Sequence, residues 1–543
     1  MHHPPEVLCQ IFHHAVEDLG IKRLLPLLHA CYQWRCSALG DSSLWATIYL
    51  SDITPPLFDT TLTYAGSRPF KVHVDHLDIN RVAKLWEFVD RVKELDCWLG
   101  IHANILFLSS LGPASNLKVF LLRNVAQGPA GWQLPVLPKI LQGCLPSLRE
   151  LSLATAVTWS AGLFKDLRSF EFGTNPEDPI PPSHVLEVLR ESPLLENLHL
   201  VGHCALPDDE PHAVAFPSLR NCILIGNGAI SLIWYMKIPA SSNVFLSTPP
   251  PTGVTTGIYP FRDICLAPRL HVLDGVTTAL FFIEFDTIKL RTRNDSGGVL
   301  GVRVYYHENV MAGLISFVTL FNNPFFESPC RIQTAKEFVL HIERGASRDD
   351  TESVNCAVIF LKFVSDIPSI EHVELRGVPT KALSLFLRLL HKNPTLTVPS
   401  PNLRRLRIES TPLRSPKPLL EDVDELLRGR KDLGLPMQSV DLEVRCEELI
   451  TIAEHSAFLV AWSHLVGEDV GVAYPRDKVE KLPSMGLRVP SFGGENDDDD
   501  DEEPGDIEPV DASDLDWESW TSGQWPKAAS EMKGRMTPDP VGT

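Results

Sequence analysis

The 543-residue chain holds 19 histidines and 11 cysteines, residue types that could ligate a metal or act as nucleophiles. Their spacing supports neither role. His13 and His14 are adjacent, so on a helix they point to different sides and do not share an ion. Cys31 and Cys36 lack a second ligand pair at zinc spacing, and no CxxC occurs. Gly226-Asn227-Gly228 lacks the third glycine and the context of a phosphate loop, and Gly297-Gly298 reads as a loop or hairpin. No Walker loop, HExxH, GxSxG or EF-hand loop is present. These absences predict a chain without catalytic residues, with no call for a cofactor or a metal. The chemistry left is recognition by apolar and aromatic side chains. They gather in the first fifty residues, where Pro5, Leu8, Ile11, Phe12, Cys31, Trp34, Leu44 and Trp45 are candidate docking residues.

Helices must position them. Val7, Leu8, Ile11, Phe12 and Ala15 share one face by three-four spacing. Pro4 and Pro5 fit a first turn, where a missing amide costs nothing, and Glu6 suits the positive end of the helix dipole. A second helical patch covers about residues 24–39, with Leu27, Leu28, Cys31, Trp34 and Ala38 on one side and Gly40 as its stop. Ser42 or Ser43 caps a short turn carrying Leu44, Trp45 and Ile48. In this order, Pro5-Glu6-Val7-Leu8, Ile11-Phe12, Ala30-Cys31 with Trp34, and Leu44-Trp45 resemble an F-box. The likeness is to the F-box-like modules that open many fungal chains with leucine-rich repeats. His3 stands where the family has a leucine before the prolines. The resemblance implies a three-helix module over residues 1–50 that binds the Skp-type adaptor of an SCF ubiquitin ligase and, through it, a cullin scaffold. The competing reading is that these helices only cap a repeat array and shield its end from water.

After residue 50 the pattern changes. Phe70, Val72 and Val74 alternate as in a strand, and residues 79–91 read as a helix. A unit of the form L-x-x-L-x-L then recurs, beginning at Leu117, Leu148, Leu167, Leu195 and Leu219. Weaker copies begin at Phe285 and Ala335, and a last group begins at Ile370, Leu403 and Met437. Helical spacers lie between, as at 183–191 and 381–391, and 447–466 closes the series. A strand and a helix cannot bury their apolar faces alone, but stacked copies build a continuous core. The fold class expected is therefore α/β. A small helical module precedes an irregular leucine-rich-repeat solenoid over 51–488, with parallel strands on its concave face and helices outside. Region 241–335 is the least regular and reads as degraded repeats or an insertion, with no site placed there. Residues between the strand leucines, such as Glu171, His199, Glu374 and Arg407, face outward and suit a protein ligand.

Charge and composition set limits. The formal charge is −20, and most of it lies in 489–543, an acidic segment with a run from Asp497 to Glu503 that reads as disordered. A mildly acidic body disfavours nucleic acid. The longest apolar patches fall short of the roughly 20 residues of a membrane helix. The start has no basic region or apolar run of a signal peptide, and scattered cysteines suit a reducing compartment. The expectation is an intracellular protein, cytoplasmic and/or nuclear, acting as the substrate-recognition subunit of an SCF-type ligase. An unknown protein substrate would sit on the repeats. The alternative is a non-catalytic repeat scaffold with no ligase role.

Overall fold

The computed structural model describes residues 4–473 apart from 20, 52, 76–82, 86, 99–106, 109–111, 124–136, 138–144, 155–156, 161, 174–181, 204–212, 249–270, 284–286, 306–333, 343–357, 359–360, 362–363, 366, 393–399, 411–414, 444–451 and 467–468. The acidic segment 489–543 lies outside the described residues. The chain opens with helix α1 (Pro5–Leu19), a 3-10 turn, α2 (Leu24–Leu28) and α3 (Tyr32–Gly40). Strand β1 (Thr47–Tyr49) follows, then α4 (Pro55–Ala65) and β2 (Phe70–Val74). Pro55 and Pro56 open α4, where their missing amides cost nothing.

From here strands succeed one another. They are β3 (Val92–Cys97), β4 (Val119–Arg123), β5 (Glu150–Ala154), β6 (Ser169–Phe172) and β7 (Asn197–Val201). Next come β8 (Val214–Ala215), β9 (Asn221–Ile225), β10 (Met236–Lys237) and β11 (Asn243–Ser247). Three long strands, β12 (Val276–Ile283), β13 (Thr287–Asn294) and β14 (Val299–Tyr305), precede β15 (Glu337–Ile342). The series ends with β16 (His372–Val378), β17 (Arg405–Ser410), β18 (Ser439–Glu443) and β19 (Asp469–Ala473). Helices α5 (Pro182–Glu191), α6 (Asn227–Ser231), α7 (Thr380–Lys392), α8 (Lys417–Asp432) and α9 (Ile452–Ser463) lie between them.

Seventeen of these strands form one mostly parallel sheet, and β8 pairs with β10 apart from it. The pairing runs in chain order from β1 to β7, then to β9 and β11. It then departs from chain order. β11 pairs with β14, β14 with β13, β13 with β12, and β12 with β15. β15 to β19 resume chain order. Among the described residues only β13 runs antiparallel to its neighbours.

The apolar triplets of the sequence explain the register. Phe120, Leu151, Phe170, Leu198 and Cys222 are aligned across β4–β9, and Leu122, Leu153, Phe172, Leu200 and Leu224 form the next row. All ten are buried in one continuous core. The unit's first apolar residue, as at Leu148, Leu167, Leu195 and Leu219, is buried in the turn before the strand. There the backbone makes its own ladder: Arg168 N–H donates to Arg149 O, Glu196 to Arg168, Arg220 to Glu196 and Asn243 to Arg220. Burying each such leucine contributes about 1.5–3 kcal/mol, and the ladder pairs these four amides where the chain enters the sheet.

Helices cover the core face. α7 buries Leu383, Phe386, Leu387 and Leu390, and α8 buries Leu419, Leu420, Val423, Leu426 and Leu427. Buried Arg430 donates to the carbonyls of Ser400, Pro401 and Leu403, and burial lowers its guanidinium to about 10.

Several expectations need correction. Where region 79–91 is described, residues 83–85 are helical as expected and Val89–Arg91 form a 3-10 turn; it leads into β3, a strand the leucine spacing did not mark. The weak unit at Phe285 is no parallel copy, because Ile288 and Leu290 lie on antiparallel β13. Region 241–335 is accordingly an ordered reversal within the sheet where it is described. Gly297 occupies the β13–β14 hairpin with φ of 79°, a conformation glycine adopts without strain.

Candidate functional site

The N-terminal module is built from two helix faces with different fates. Leu8, Phe12 and Val16 recur every four residues and point into the core with Ile21, Leu24 and Ala38. Val7 and Ile11 lie on the neighbouring face of α1, and they are 42% and 47% exposed. Tyr32, the first residue of α3, is 80% exposed. Large apolar side chains so placed are available to a partner.

The eight docking candidates divide in the same way. Pro5, Ile11 and Cys31 are exposed and Trp34 is half-buried. Leu8, Phe12, Leu44 and Trp45 are buried to 1% exposure or less. Those four assemble the module and cannot touch a partner while it stays folded. Trp45 Nε1 donates to Ala38 O at 2.9 Å, and its ring lies against Tyr64 of α4. Phe12 meets Trp34 edge to face with centroids 5.6 Å apart. Cys31 caps α3, its Sγ accepting from Trp34 N–H at 3.4 Å.

A polar brace fixes α1 against the end of α3. Ser43 Oγ and Asp41 Oδ2 lie 2.9 and 3.2 Å from His13 Nε2. Ser43 also donates to Asp41 through Oγ and through its backbone N–H. Burial pushes the Asp41 carboxyl upward, but the Ser43 hydrogen bonds and nearby His13 outweigh it and hold the carboxyl below its usual range. Serine, histidine and aspartate here do not form a hydrolytic triad. Such a triad uses both imidazole nitrogens in relay, whereas Ser43 and Asp41 converge on one nitrogen and the hydroxyl donates to the carboxylate. These residues stand 28 to 30 positions apart, a separation without a sequence signature. Val7 and Tyr32 are the other residues that helical spacing did not single out for docking. Cys9 Sγ lies 3.9 Å from Ser37 O and His13 adjoins Asp41, so α1 and α3 point the same way. Pro5, Val7 and Tyr32 therefore sit toward one end of the helix pair.

On the sheet face turned away from the helices, several polar side chains are paired with one another. His73 Nδ1 lies 3.2 Å from Asp96, whose other oxygen is 3.5 Å from Arg123 Nε. The Arg123 guanidinium covers the Trp98 ring at 4.6 Å. Glu171 accepts from Ser152 at 2.6 Å and lies 3.2 Å from His199. Farther along, Glu374 is paired with Arg376 at 2.8 Å and Arg407 at 3.5 Å. Among the described residues no group of three or more His, Cys, Asp or Glu side chains is placed to hold a metal ion. Buried Cys222 is a core residue whose thiol is pushed up to about 12 by desolvation, which suppresses the nucleophilic thiolate. No described helix is long and apolar enough to cross a membrane.

The chain matches no curated protein. Residues 4–51 match the F-box-like family, and this segment, from the first turn of α1 to just beyond β1, is an F-box-like domain.

Proposed function

We propose that the chain is the substrate-recognition subunit of an SCF-type ubiquitin ligase. The F-box-like match over residues 4–51 carries this reading, and the exposure of Val7, Ile11 and Tyr32 supports it. F-box-like domains bind Skp-type adaptors. The adaptor, bound to its cullin scaffold, would sit on Pro5, Val7, Ile11 and Tyr32. The sheet is read as an irregular leucine-rich-repeat solenoid that holds a substrate protein. That reading draws support from the in-register parallel pairing of one L-x-x-L-x-L unit with the next. The chain would make no bond itself and would act by holding a substrate lysine near the ubiquitin-loaded enzyme.

The cap reading also has an observation in its favour. β1 is hydrogen-bonded to β2, and Leu8 and Phe12 belong to the same core cluster as the sheet leucines. Exposed and buried residues separate the two readings. Ile11→Asp in the full chain should abolish co-purification with a Skp-type adaptor and change folding stability by no more than about 0.5 kcal/mol. Wild-type protein that fails to retain the adaptor, or an Ile11→Asp variant that retains it fully, would remove the ligase role and leave the cap.

A further inference from the structure

The two ends of the sheet are finished differently. At the first, the 3-10 turn Ile21–Arg23 packs on β1, and Ile48 of β1 is fully buried in one core with Ile21 and Leu24. At the other, β19 is hydrogen-bonded, among the described residues, to β18 alone. Its core positions Val470 and Val472 are only half-buried, whereas Val440 and Leu442 beside them on β18 are fully buried. The apolar row therefore reaches this edge with part of its surface open to solvent.

Helix α9, which packs on β19, shares that character. Trp462 turns toward α8, its Nε1 donating to Asp424 Oδ1 at 3.2 Å. Val460 stands two residues earlier, on the opposite side of the helix, and is 61% exposed. The described exposed side chains of α9 are Ala457, Val460 and Ser463, none of them charged, whereas α8 exposes Lys417, Glu421, Arg428, Lys431 and Asp432. A stacked array needs a polar terminal unit to stay soluble alone. An edge strand is commonly guarded by lysine, proline or a bulge, and β19, Asp469-Val470-Gly471-Val472-Ala473, has none of the three.

We infer that this end is the interface between two copies of the chain, joined by antiparallel pairing of their β19 strands about a two-fold axis through Gly471. The sequence of β19 is self-complementary in that register. Val470 falls opposite Val472 of the second copy and Val472 opposite its Val470, so two aliphatic pairs complete the apolar row. Asp469 falls opposite Ala473, and no like charges meet across the pair. A slip of one residue would turn one copy's valines to the wrong face. A two-fold contact uses the same patch on both copies and closes the assembly at two chains. The inference does not depend on the receptor reading.

The test uses the full chain in sedimentation velocity over a micromolar concentration series. Wild type should sediment at twice the mass of the chain. Val472→Lys puts a charge into the strand pair, and Val460→Lys changes an exposed helix position that leaves folding intact. Each should raise the dissociation constant at least about tenfold, with the circular-dichroism melt of Val460→Lys unchanged. Gly471→Cys sets two thiols across the axis, where directly opposite strand residues lie about 4.5–5.5 Å apart between Cα atoms, within disulfide reach. Mild oxidation should then give a covalent dimer that wild type does not form. A monomer throughout the series would overturn the inference and leave this end to a segment of the same chain or to another protein. A dimer unchanged by both lysine variants, or no cross-link through position 471, would put the contact elsewhere and overturn it equally.

Discussion

The F-box-like domain and the β12–β14 reversal both depart from the parallel ladder, and they expose different chemistry. The first presents Val7, Ile11 and Tyr32 to solvent. The second gathers Lys289, Arg291, Arg293 and Arg303. The regular strands on either side of the reversal pair many of their own charges, Asp96 with His73 and Arg123, Glu171 with His199, and Glu374 with Arg376 and Arg407. Groups of a single kind collect where the parallel order breaks. A regular ladder brings each strand's side chains beside equivalent positions on the next, which favours complementary pairs. Binding at the apolar face of the F-box-like domain should vary little with salt.

Three perturbations probe this contrast, beginning with the largest. Trp45→Ala removes a fully buried ring and its bond to Ala38, and should cost about 3–5 kcal/mol in denaturant unfolding followed by circular dichroism. A cost near zero would mean that the domain and the sheet do not share one core. Gly298→Ala tests the reversal. An added Cβ would stand 1.8 Å from Ala240 O, and the strain should cost roughly 1–3 kcal/mol. A neutral result would show that the β13–β14 hairpin is loosely held. The smallest effect concerns the brace in the first region. Asp41 has a folded-state value below its unfolded value of about 3.9. Its contribution is therefore present above that value and is lost as pH falls through the lower folded value. The difference in melting temperature between wild type and Asp41→Asn should be largest near neutrality and should shrink below about pH 3.9. A difference that stays constant down to acid pH would take the carboxylate out of the brace.

How far the sequence was legible depends on what alternation and spacing can encode. Aligned triplets such as Leu148-x-x-Leu151-x-Leu153 marked β5, because strand and turn leucines must all reach one core. The same device misread the unit at Phe285. Apolar residues two apart look alike in either chain direction, so Ile288 and Leu290 carried no sign that β13 runs backward. β3 was missed because its core residues Val92, Leu95 and Cys97 are unevenly spaced, with a pairing irregularity beside them. On α1, spacing assigned Leu8 and Ile11 to one broad face without telling which part turns inward. Burial of Leu8 and exposure of Ile11 separate them. The Lys289-x-Arg291-x-Arg293 alternation was visible all along, but a charge run on a strand acquires meaning only from the strands beside it.

The reversal also bears on how the chain is assembled in time. Strands β1 to β7 and then β9 can add one after another, each onto the previous strand of the sheet, as in an array that folds by propagation. At β11 that route stops. Its pairing edge is filled by β14, from Asn243 beside Val299 to Ser247 beside Arg303, and β14 is made only after β12 and β13. β12 in turn has no partner on its far side until β15 arrives. The first half of the sheet must therefore wait with an open strand edge, the feature most prone to unwanted pairing with another chain. The loops closed in these two steps are long, and closing them costs more chain entropy than any neighbouring addition. Loop closure predicts that the slow step of folding falls at β11–β15, where an arrested chain would carry an edge ready to associate.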